Sequence, residues 1–198
     1  ADDSFVDLGI GFGWENFGNY FDGAFMIRAE VDGPPDSEVS SIDHVPGWNL
    51  IGLPLSVEDA FYSSLFPGSI AGTLYSFDGG YDPEEYLTPG EGYWLRFPGS
   101  GSSIISGAPI NELTISLSEG WNLISGPSGD VSIYSVNDPG DVIVEGTLYS
   151  FSGGYMPSET LVPGKGYWLR AYDDGEITLS SGGLARVSGE SRSLKGEA

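Results

Sequence analysis

Apolar and polar positions alternate with a period of two over short stretches of this chain, and turn residues separate the stretches. In Thr73-Leu74-Tyr75-Ser76-Phe77, the side chains of Thr73, Tyr75 and Phe77 share one face and those of Leu74 and Ser76 the other, the spacing of a β-strand. Phe25 to Val31 alternates in the same way, and Leu113 to Leu117 and Ile177 to Leu179 predict further strands. Trp48-Asn49-Leu50-Ile51 and Tyr93-Trp94-Leu95-Arg96 place apolar residues on both faces, as strands inside a two-layer structure do. Gly79-Gly80 and Pro89-Gly90 fall between strands, where turns need a positive or a preset φ. A short helix is predicted within Val57 to Phe66, whereas the equivalent stretch, Val131 to Val136, reads as a strand.

These elements occur twice. Gly47-Trp48-Asn49-Leu50-Ile51, Gly72-Thr73-Leu74-Tyr75-Ser76-Phe77, Gly79-Gly80-Tyr81 and Pro89-Gly90-Glu91-Gly92-Tyr93-Trp94-Leu95-Arg96 return in the same order. The second set is Gly120-Trp121-Asn122-Leu123-Ile124, Gly146 to Phe151, Gly153-Gly154-Tyr155 and Pro163 to Arg170. The offset is 73 residues at Trp48 and Trp121 and 74 at Trp94 and Trp168. The chain therefore divides into an N-terminal strand segment and linker (1–41), repeat 1 (42–112), repeat 2 (113–180) and a tail (181–198). The expected fold is all-β: two tandem sandwich- or barrel-like repeats. Each has too little core to stand alone, so the copies are expected to pack together.

Composition narrows the function. With 31 glycines and 13 prolines in 198 residues, turns are frequent and helices few. No apolar run reaches the roughly 20 residues of a membrane helix. The 29 acidic against 7 basic residues give a net charge of -22, which excludes nucleic acid as a partner. There is no cysteine, hence no disulfide and no thiolate metal site. The opening Ala1-Asp2-Asp3, without an initiator methionine or a signal-peptide pattern, reads as that of a processed product.

The ordered blocks Gly-Trp-Asn-Leu-Ile, Leu-Tyr-Ser-Phe, Gly-Gly-Tyr and Pro-Gly-x-Gly-Tyr-Trp-Leu-Arg cover about two thirds of the chain. They resemble a repeat found toward the C-terminal ends of large bacterial surface and secreted proteins. The resemblance implies an extracellular or cell-surface β module and brings no catalytic motif. Phe17 to Val31 is similar to the final strand of a jelly-roll domain in such proteins. A strand without its sheet leaves backbone groups unpaired. Two destinations are open to it: the repeats themselves, or a neighbouring subunit. In the second case Phe25, Met26, Ile27, Ala29 and Val31 would be the assembly residues of a filament or surface layer built by strand donation.

No enzyme is expected. His44 is the one histidine and reads as a solvated linker residue, with no nucleophile elbow to join. No cofactor is implied; Asp82, Glu84, Asp173 and Asp174 are weak Ca²⁺ candidates because their carboxylates cluster in turns. The recurrent aromatics have two readings. Buried, they are core; exposed in a row, Tyr81, Trp94, Tyr155 and Trp168 would form a platform for surface glycans. The function expected first is a non-enzymatic, self-associating structural or adhesive protein. The alternatives are a carbohydrate-binding accessory module of a secreted hydrolase and a secretion or anchoring domain.

Overall fold

The computed structural model describes residues 37–181. The assembly residues Phe25, Met26, Ile27, Ala29 and Val31 lie outside the described residues, as does nearly all of the 181–198 tail. Within 37–181 the protein is nearly all β, in antiparallel sheets. Repeat 1 comprises β1 (Glu38–His44), β2 (Gly47–Gly52), β3 (Leu55–Ser56), β4 (Tyr75–Phe77), β5 (Tyr81–Pro83), β6 (Gly92–Phe97) and β7 (Gly101–Pro109). Repeat 2 comprises β8 (Glu112–Leu117), β9 (Gly120–Ser125), β10 (Val131–Ser132), β11 (Tyr149–Phe151), β12 (Tyr155–Pro157), β13 (Thr160–Leu161), β14 (Gly166–Ala171) and β15 (Gly175–Ser180). The boundary drawn at 41/42 falls inside β1, which pairs with β7 along its whole length, as β8 does with β15.

Each repeat holds one four-stranded sheet, in the order β2-β6-β4-β5 and β9-β14-β11-β12. Among the described residues these sheets keep their edges and no barrel closes. The helix expected in Val57 to Phe66 is one turn, α1 (Tyr62–Leu65). Its counterpart is β10 followed by a 3-10 turn over Ile133–Ser135 rather than a continuous strand, because Ser132 caps the turn by accepting from the Tyr134 N–H.

The repeated motifs explain themselves in the turns. Gly47 and Gly120 take φ values of +91° and +99°, a region L side chains avoid. Asn49 then locks the turn: its Oδ1 accepts from Val45 N–H at 2.9 Å and its Nδ2 donates to the carbonyls of Val45 and Gly47. Asn122 repeats this on Ser118 and Gly120. Thr73 donates to the Ile70 carbonyl and accepts from Arg96 N–H, and Thr147 does the same with Val144 and Arg170. The buried Tyr93 and Tyr167 hydroxyls accept from the backbone N–H of Thr88 and Val162, holding the Pro-Gly turns onto the strands that follow.

Alternation along β2 and β6 separates two cores. Ile51, Tyr93, Leu95 and Phe97 point into the core of repeat 1, with a matching core in repeat 2. The opposite face, with Leu50 and Trp94, meets Leu123 and Trp168 of the other repeat in a third cluster. Both repeats thus belong to one compact unit. The contacts between them are reciprocal: Gly52 N–H donates to Gly164 O at 3.1 Å and Ser125 N–H to Gly90 O at 2.8 Å.

One contact breaks the equivalence. A Cβ placed on Gly52 would lie 2.1 Å from the Ser125 Cβ, so only one of these two equivalent positions has room for a side chain. The Ser125 hydroxyl is buried there without a partner. Ser125→Ala is expected to raise stability by about 1 kcal/mol by removing an unsatisfied polar group. A melt scored against the parent chain checks this; an unchanged or lower midpoint contradicts it.

Candidate functional site

The interface between the two sheets leaves two aromatic clefts, and their geometry is built from β-strand alternation. On β2, Trp48 stands beside Leu50 on the inter-repeat face, and Tyr75 of β4 pairs directly with Trp94 of β6. Trp48 is 40 % exposed and Trp121 45 %. Trp94 and Trp168, deeper, are 9 % and 8 % exposed. Trp48 packs edge-on against Trp94 at 6.3 Å between ring centroids, and Trp121 against Trp168 at the same distance. Across the interface Trp94 meets Phe151 at 4.8 Å and Trp168 meets Phe77 at 4.7 Å. These are near-perpendicular edge contacts, the favoured geometry for ring quadrupoles. The agreement shows how closely the two clefts match.

One cleft, of about 450 Å³, is lined by Trp48, Tyr75, Tyr81, Trp94 and Phe151. The other, of about 460 Å³, is lined by Phe77, Tyr81, Trp121, Tyr149, Tyr155 and Trp168. Each takes rings from both repeats, so neither exists in a single copy. No charged side chain lines either. The Trp168 indole N–H is buried without an acceptor, out of reach of solvent.

No protein-family model, curated protein or solved structure matches this chain. The clefts themselves therefore carry the functional argument.

The four residues named for a platform are brought together, but not as a flat row. Tyr81 and Tyr155 stand exposed at the rims (56 % and 58 %), while Trp94 and Trp168 form the inner walls. Trp48 and Trp121, the most exposed tryptophans of the described residues, were not in that set although each sits in a repeated motif. Only the sheet register reveals that they share a face with Trp94 and Trp168. Tyr93 and Tyr167 belong to the cores instead. Burial raises both phenols above the ordinary tyrosine value, and in Tyr93, the more strongly shifted, the hydrogen bond to the Glu91 carboxylate adds to it. They stay neutral and serve as structural hydrogen-bonding groups.

The Ca²⁺ candidates are not assembled. Asp82 is on the exposed strand β5 and Glu84 follows it, accepting from the Ser76 hydroxyl. Asp173 and Asp174 lie in the β14–β15 turn, where they accept from the N–H of Asp174 and Glu119. Among the described residues no three His, Asp or Glu side chains form a group able to hold a metal ion. His44 is not a linker residue: it lies in β1 and stacks on Phe97 with ring centroids 3.8 Å apart. Its Nδ1 is 3.2 Å from the Gly99 carbonyl, which ties the start of repeat 1 to its end. No helix among the described residues is long and apolar enough to cross a membrane.

Proposed function

We propose that this protein is a non-enzymatic, extracellular or cell-surface binding module that holds glycan chains in its paired aromatic clefts. The observation that carries the reading is the matched pair of open, uncharged clefts walled by Trp48, Tyr75, Trp94 and Phe151 and by Trp121, Tyr149, Trp168 and Phe77. Aromatic rings offer apolar faces to the C–H faces of sugars, and few polar groups are needed to orient a ligand in such a cleft. The charge of -22 argues against polyanionic ligands. Self-assembly through Phe25 to Val31 gains no support here, since that segment lies outside the described residues.

The test is retention on insoluble polysaccharides followed by calorimetry with soluble fragments, using Trp48→Ala, Trp121→Ala and both together. Each single change is expected to weaken binding roughly tenfold, about 1.4 kcal/mol, and the double change about a hundredfold. Both tryptophans are half-exposed, so the fold should survive, which a thermal melt verifies. Equal binding by the double variant and the parent would sink the reading.

A further inference from the structure

We infer that the two clefts are halves of one groove, which binds a single extended glycan chain along its length rather than two short sugars or a chain end. The inference rests on the glycan reading above and adds the class of ligand. Its main support is Tyr81, which lines both clefts. A ring shared by two cavities is a common wall between neighbours, so the clefts adjoin. Tyr81 packs on Phe77 at 5.4 Å, and Phe77 in turn meets Trp168 of the other repeat. The hairpin of β4 and β5 therefore carries one aromatic path from repeat 1 into the second cleft. Tyr155, packed on Phe151 at 5.5 Å, is its counterpart.

The ends of this path match as well. Trp48 lines only one cleft and Trp121 only the other, each 6.0 Å from the tyrosine beside it, Tyr75 or Tyr149. A site with equivalent ends and a shared centre has no feature that would single out a chain terminus. It suits a polymer that presents the same ring face again and again. An uncharged lining in a strongly acidic protein selects a neutral polymer over a uronic or sulfated one. Occupying both clefts with one chain makes the second contact intramolecular, which raises affinity without any new kind of contact.

The probes are β-1,4-linked glucose oligomers and β-1,4-linked N-acetylglucosamine oligomers of increasing length, titrated calorimetrically into the full chain. Short oligomers should bind weakly at two sites per molecule. Once an oligomer is long enough to span the groove, stoichiometry should fall to one and affinity should rise by at least about tenfold, toward the 10²–10⁴ range of linked sites. Trp121→Ala should return the long oligomer to the affinity of the short one while the Trp48 cleft still binds. Trp121→Tyr, which keeps a ring, should restore part of the gain. If short oligomers bind at two sites and lengthening brings no gain, the single groove is wrong and the glycan reading stands. If neither series binds at any length, both fall.

Discussion

Gly92→Ala is expected to lower stability by about 3 kcal/mol, the upper part of the range for forced overpacking. For a chain of this size that corresponds to a melting midpoint roughly 6–12 °C lower. The reason lies between the repeats. A Cβ on Gly92 would stand 2.6 Å from the Ile124 carbonyl oxygen and 3.0 Å from its nitrogen. Both are backbone atoms of a paired strand, so no side-chain rotation relieves the collision. The two sheets would have to separate at the point where Ser125 N–H donates to Gly90 O. Gly166→Ala should act alike, since its Cβ would meet the Ile51 carbonyl oxygen at 2.7 Å. Gly80→Ala, with open space around it and no positive φ, is the control and should be near neutral. Calorimetric melts of the three variants decide it. A Gly92→Ala chain that melts with the Gly80→Ala chain would mean that the repeats do not pack as described.

Much of this fold is readable from residue order. The duplication, the strands at Trp48 to Ile51 and Tyr93 to Arg96, and the turns at Pro89-Gly90 and Pro163-Gly164 follow from repeated blocks and period-two alternation. Mutual packing of the copies follows from the small core available to each. The partner of each face does not follow. Trp48 and Tyr93 are both aromatic strand residues in repeated motifs, yet one rims a cleft and the other is core. The difference depends on which side of a two-sided sheet meets the other repeat, and composition is apolar on both sides. The 3-10 turn at Ile133–Ser135, expected as strand, is missed for another reason, whereas the helix expected within Val57 to Phe66 is present as the single turn Tyr62–Leu65. The Ile133–Ser135 turn is set by the Ser132 cap and is too short for a periodicity to register. His44 misleads because it lies just outside the repeated blocks, although the β1–β7 pairing places it against Phe97.

The aromatics of the inter-repeat face divide between burial and exposure. Leu50, Trp94, Leu123 and Trp168 join the repeats, and Trp48 and Trp121 of the same face remain exposed. A ligand held there would bind only the joined state and so stabilise it.

Trp94→Ala is therefore expected to be among the most damaging single changes, at about 3–5 kcal/mol, the usual cost of truncating a buried large aromatic. It removes the wall of one cleft and the centre of the inter-repeat cluster together. Phe151→Ala should cost less, because that ring is only half-buried. The informative quantity is their coupling. Trp94 and Phe151 belong to different repeats and meet edge-on at 78°. A double-mutant cycle should return about 1 kcal/mol of interaction beyond the single effects. The equivalent cycle on Trp168 and Phe77, which meet at 77°, should return a similar value. A cycle on Trp94 with Tyr134, which is exposed and outside both clefts, should return nothing. Because each repeat has a small core of its own, the two are also expected to unfold in one transition, which the same melts would show. Additive effects in both cycles, with two resolved transitions, would mean that each repeat is stable alone. The clefts would then be accidents of packing, because each needs a ring from both.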